Sequence, residues 1–183
     1  MLKFFGISKK DKISAADTSK IFSVALNKVI DGGFYEIQNF LNDNQNLEKS
    51  PNISDSDVRW FRLIIFVGNL HLLRLRFEEE ESLKLRNYII DYLMDYIDND
   101  NDLAMDMFLD YEKYFNDVLS KYVDTEKSMA MAVFDKYKIN TFQSDLFQRK
   151  NEPNPILFNE LKKLLSHFIW NWDEFLEKKK IVF

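Results

Sequence analysis

Cysteine is absent from the 183-residue chain. Disulfides, thiolate nucleophiles, Cys-ligated zinc and Cys-ligated iron–sulfur clusters are therefore excluded. Glycine and proline are scarce, at four and three residues, too few for a turn-rich β-sandwich or barrel. Histidine is limited to His71 and His167, so a three-histidine zinc site is impossible. Neither histidine follows an acidic residue by three or four positions, as a helical di-iron site demands. Glycine-rich phosphate loops and nucleophile elbows are missing too. Counting alone leaves a Ser–His–Asp set open, because its members need not be neighbours. Nothing positive supports catalysis, so we expect a non-enzymatic protein with no catalytic, cofactor-binding or metal-ligating residues.

Long apolar runs and targeting signals are also lacking. The densest apolar stretch, Trp60 to Leu73, is too short to span a bilayer and contains Arg62, Asn69 and His71. No arginine precedes Arg59, unlike a mitochondrial transit peptide, and lysines follow the short apolar start at once, unlike a secretory signal. The expectation is a soluble protein that is not secreted.

What the chain does hold is apolar and aromatic bulk. It is 46% hydrophobic and 15% aromatic, with 17 Phe, ample for a packed core. Apolar residues recur at helical spacing throughout. Ile21, Phe22, Ala25 and Val29 mark a helix expected to stop at Gly32-Gly33; Phe34, Ile37, Phe40 and Leu41 follow. Ser54 with Asp57 reads as a helix start. The next helix, about 55–76, is apolar around nearly its whole circumference and is the expected central helix. Gly68 would let a neighbour approach closely. Further stripes run over 85–96, 108–122 and 129–137, with a short element near 141–149. Asn154-Pro155 opens a last helix expected to run to about 178. The expectation is an all-α fold: one compact domain of six to eight helices over 13–183, preceded by a basic-apolar segment, 1–12.

Charge is unevenly spread. Residues 1–77 carry 11 basic and 8 acidic side chains, 78–117 carry 3 and 13, and 118–183 carry 11 and 9. The acidic block argues against nucleic acid as a partner; it is either a solvated face or a surface that steers a basic protein, with Glu78, Glu79, Glu80 and Glu81 as its leading candidates. Asp98, Asp100 and Asp102 imitate the start of an EF-hand loop, but Leu103 and Leu109 stand where its Gly and bidentate Glu belong; an acidic turn before a helix fits better. On the central helix, Arg62, Asn69 and Arg76 form one polar strip seven residues apart, either the helix's solvent edge or a further candidate contact that would bind a carboxylate. Trp170, on the polar side of the expected last helix, is a candidate anchor; alternatively the N-terminal segment covers it. At the other end, Lys3, Lys9, Lys10 and Lys12 surround Leu2, Phe4, Phe5 and Ile7. Phe4, Phe5, Lys9, Lys10 and Lys12 are candidate contacts with an anionic membrane; alternatively the phenylalanines enter the core.

Trp60-Phe61, Arg74 and the run Ile89-Ile90-Asp91-Tyr92-Leu93-Met94-Asp95-Tyr96-Ile97 together resemble the ubiquinol–cytochrome c chaperone family. Phe115-Asn116-Asp117-Val118-Leu119 and Met129-Ala130-Met131-Ala132-Val133-Phe134 are similar to later motifs of that family. Val67 departs from the family's usual His, and the acidic residues 98–110 replace a glycine-containing segment. The resemblance implies a non-enzymatic assembly factor. Its client would be newly made cytochrome b, on the way to the ubiquinol–cytochrome c reductase complex, with a small helical partner protein. It would act in the cytoplasm or mitochondrial matrix, peripheral to the inner membrane. Two other expectations stand beside it: an acidic inhibitor or immunity-type protein covering a basic partner, and a helical carrier of an apolar ligand.

Overall fold

The computed structural model describes residues 10–183. A short strand, β1 (Asp11–Ser14), leads into α1 (Ala15–Asn42). Ser14 caps this helix, its hydroxyl oxygen accepting from the Asp17 N–H at 3.0 Å. The expected stop at Gly32-Gly33 does not occur: α1 runs through both glycines for 28 residues. Its buried stripe of Phe22, Leu26, Ile30, Phe34, Ile37 and Leu41 continues at the same spacing on both sides of the pair. That burial outweighs the helix penalty of about 1 kcal/mol per glycine. Neither glycine adopts a positive φ. Gly33 is there for room: a Cβ on it would stand 2.8 Å from the Phe168 ring.

The polar loop after α1 is closed by Asn42. Its amide donates to the Ile53 carbonyl at 2.9 Å and accepts from the Ile53 N–H at 2.8 Å. A 3₁₀ turn, Asp55–Asp57, then opens α2 (Val58–Arg76), with the Asp57 carboxylate accepting from the Ser54 N–H at 2.8 Å.

As expected from its apolar circumference, α2 is the centre of an all-α fold. Every residue from Phe61 to Leu70 is buried, against α1, α3 (Glu79–Ile97), α4 (Asn101–Tyr122) and α5 (Thr125–Lys136). Gly68 admits α5 at close range, since a Cβ there would come within 2.5 Å of Met129 Sδ. The acidic turn before α4 is a cap: the Asp100 carboxylate accepts from the N–H groups of Asp102 and Leu103.

A 3₁₀ turn (Ile139–Phe142) and the short α6 (Asp145–Lys150) lead to α7 (Pro155–Leu165), capped by Asn154. The expected long last helix is divided. After α7 come a 3₁₀ turn (Ser166–Phe168), an extended Ile169, and α8 (Trp172–Lys178), capped by Asn171. The break lets Phe168 and Trp172, both buried, enter the core from one short segment. The remaining residues form β2 (Lys179–Val182), parallel to β1 with Lys12 opposite Lys180 and Ile13 opposite Ile181. The boundary at residue 12 therefore falls inside β1, which belongs to the folded body. Among the described residues there are eight α-helices, and none is long and apolar enough to cross a membrane.

Candidate interaction surface

The polar strip on α2 is not a surface. Arg62 is only 7% exposed and Asn69 1%. Arg62 Nε donates to Asn27 Oδ1 at 2.8 Å, one terminal nitrogen reaches the Tyr96 carbonyl at 3.3 Å, and the other pairs with Asp31. The guanidinium also lies over the Tyr96 ring. It thereby ties α1, α2 and the end of α3 together. Asn69 donates to the carbonyls of Ile65 and Phe168, each at 2.9 Å, and accepts from the Trp170 N–H at 2.8 Å. It holds the extended link between α7 and α8, whose backbone groups have no helical partners. Neither residue is available to a partner, because its donors are spent inside. Only Arg76 of the strip is exposed, and it pairs with Asp173 at 2.8 Å.

Trp170 is likewise not a free anchor. Helix geometry over an unbroken 157–178 would place it outward, but the break at 166–171 turns it back. It is half-buried and lies edge-on to Phe22, at 5.5 Å between ring centres, and beside Trp172 and Phe175. Its Nε1 is enclosed with no acceptor among the described residues. Of the basic-apolar segment, Phe4, Phe5 and Lys9 lie outside the described residues. Lys10 donates to the Leu176 carbonyl. Lys12 and Lys180 face solvent side by side across the strand pair, next to exposed Val182 and Phe183.

The acidic block is a surface. Glu78, Glu79 and Glu80 are exposed at the N-terminus of α3, where the helix dipole favours them, and Glu81 is half-buried. Asp91 and Asp95 continue outward on α3, and Asp102, Asp106 and Asp110 on α4. Leu103 and Leu109 stand among the α4 aspartates, each 49% exposed. Two acidic residues of the block face inward and are paired. Glu112 accepts from Arg86 at 2.7 Å and from Arg74 at 3.4 Å, and Asp98 pairs with Arg59 at 3.3 Å. The other carboxylates of 78–117 make no ion pair among the described residues. The result is an outward negative field with leucines set in it.

A second cluster was not anticipated from the sequence. Trp60 is covered by Lys136, whose Nζ lies 3.0 Å from the ring centre, and by Arg59. Burial, then Arg59, pulls the Lys136 ammonium below its ordinary range. Tyr111, Tyr114 and Tyr137 gather nearby. Burial pushes all three phenols well above their ordinary value. Tyr114 donates to Asp135 at 2.7 Å and Tyr137 to the Asp57 carbonyl at 2.9 Å. These groups seal the junction of α2, α4 and α5. No sequence spacing brings them together, because they come from three separate segments. On α2, burial and then Arg74 hold the half-buried His71 below the usual imidazole value.

Among the described residues, no three His, Asp or Glu side chains converge as a metal-ligand set. Three surface grooves, of about 310, 560 and 490 Å³, open to solvent beside Trp170, Asn44 and Tyr122 respectively. Comparison of the chain with family models, curated proteins and solved structures yields no match.

Proposed function

We propose that this chain is a non-catalytic protein-binding factor whose partner is basic and docks on the acidic face of α3 and α4. The observation that carries the reading is the contrast within the block: inward acids are matched to arginines, while the outward ones are left uncompensated around exposed leucines. An uncompensated field of one sign costs self-repulsion and is useful where an oppositely charged surface meets it. The leucines supply the apolar contact that charge alone does not.

A narrower reading, an assembly chaperone for cytochrome b at a membrane surface, draws on the resemblance at 60–97. One structural observation favours its membrane aspect. Lys12, Lys180, Val182 and Phe183 are exposed together on the strand pair, beside the point where the basic-apolar residues 1–9 join it. Lysines with apolar neighbours suit an anionic bilayer.

The test is purification of the full chain with its partners from its native cells in mild detergent. The acidic-face reading expects a basic partner released at about 0.5 M salt, and absent when Glu79, Glu80, Asp102, Asp106 and Asp110 are changed to their amides. A partner retained by that variant overturns the reading. Recovery of cytochrome b with the variant would favour the membrane-side alternative instead.

A further inference from the structure

We infer that the outward face of α1 pairs, antiparallel, with the same face of a second copy of this chain. This does not depend on the acidic-face reading. The core side of α1 is fully used, yet its opposite side also carries apolar groups. Ile21 is 43% exposed, Val29 44% and Tyr35 65%. A shallow depression of about 350 Å³ runs along Ile21, Val24 and Ala25 between Lys20 and Lys28. Gly32 has open space around it, with no atom within 4 Å of where a Cβ would be. In an unpaired surface helix of 28 residues, a glycine and four apolar groups on the solvent side are all costly choices.

The spacing explains them. Ile21, Ala25, Lys28, Gly32 and Tyr35 follow one another by four, three, four and three positions, the seam of a two-helix coiled coil. Large and small residues alternate along it. In a parallel pair, like positions meet, so Lys28 would face Lys28 and Gly32 would face Gly32. In an antiparallel pair with its two-fold axis beside residue 30, Tyr35 of each copy sits over Ala25 of the other. Lys28 sits over Gly32, and Val29 meets Val29. Lys28 then also lands beside Asp31 of the second copy, whose carboxylate pairs with Arg62 through one oxygen and is 57% exposed. The seam thus supplies its own complement in size and charge, which commits the occupant to a second copy rather than an unrelated helix.

The chain has no cysteine, so one introduced thiol is unambiguous. Light scattering of the full chain at on the order of 100 µM should give twice the 21.9 kDa chain mass. Val29→Cys should cross-link to a dimer with a short bis-maleimide, whereas Leu109→Cys, equally accessible on α4, should not. Gly32→Arg and Ile21→Glu should each weaken the dimer tenfold or more while leaving helical circular dichroism unchanged. A chain monomeric at that concentration, with Val29→Cys cross-linking no better than Leu109→Cys, overturns the inference. A dimer indifferent to both substitutions, or a different protein seated on α1, overturns it as well.

Discussion

The polar residues of α2 and the acidic residues of α3 and α4 look alike as candidates for contact, yet the fold uses them in opposite ways. Arg62 and Asn69 are surrounded in sequence by nine buried apolar positions and go inside with them. Each survives burial because specific acceptors wait there: Asn27, Asp31 and the Tyr96 carbonyl for one, and the Ile65 and Phe168 carbonyls for the other. The acids of 78–117 outnumber the arginines within their reach. Arg59, Arg74 and Arg86 take in Asp98 and Glu112, and the others stay in water. A lone polar group in an apolar helix is thus a structural tie, and a surplus of one charge is a surface.

The largest effect that separates these two roles is expected at Arg62. Arg62→Met keeps the stem but leaves the buried Asn27 Oδ1 without a donor and Asp31 without its cation. A loss of about 3 kcal/mol is expected, at the low end for a broken buried pair because Asp31 can turn to water. Denaturant unfolding checks it. A stable variant with altered partner binding would instead return Arg62 to the surface role. Asn69→Leu should follow, costing about 2 kcal/mol by orphaning the Phe168 carbonyl and the Trp170 N–H. Because those groups lie in the link to α8, hydrogen exchange at Trp170 should rise more than exchange in α5. Uniform exchange across both would contradict the assigned tie.

How far the sequence alone could reach follows from the same distinction. Periodicity located α2, the capped starts at Ser54 and Asn154, and the close approach at Gly68, because those signals are local and repeat along one helix. Two adjacent glycines signal a stop, but the stripe of Phe34, Ile37 and Leu41 beyond them is buried in register with the one before and carries α1 through. Periodicity also carries the last helix through 166–171. The break there is held by Asn69 from 99 positions away, and no local pattern encodes a partner so distant. That break is also what turns Trp170 from the polar side of an unbroken helix toward Phe22. The acidic surface was legible because an excess of one charge needs no partner to be recognised.

Next in size are the adjacent glycines of α1, which repeat the comparison one residue apart. Gly33 faces inward against Phe168, and Gly32 faces open solvent. Gly33→Ala should cost about 1–2 kcal/mol through overpacking against the ring. Gly32→Ala should raise monomer stability by about 0.5–1 kcal/mol, because alanine suits an exposed helix. Thermal melts of both variants in dilute solution should move in opposite directions. Equal shifts would mean that the Phe168 contact does not govern this stretch of α1.

The smallest stability effect is expected where the effect on binding is largest. Asp102→Asn, Asp106→Asn and Asp110→Asn remove exposed carboxylates that have no ion pair among the described residues. Each should change stability by less than about 0.5 kcal/mol. The triple change should stabilise slightly, because it relieves repulsion among like charges spaced one turn apart on α4. If these acids were instead holding α4 in place through solvent-screened contacts, the triple variant would melt lower, and salt would lower the wild-type melt in parallel. A melt that rises or stays level, together with salt-sensitive loss of a basic partner, assigns the aspartates to recognition alone. Arg62 and Asn69 should show the inverse pattern, lowering the melt of the folded domain while leaving partner affinity per folded molecule unchanged.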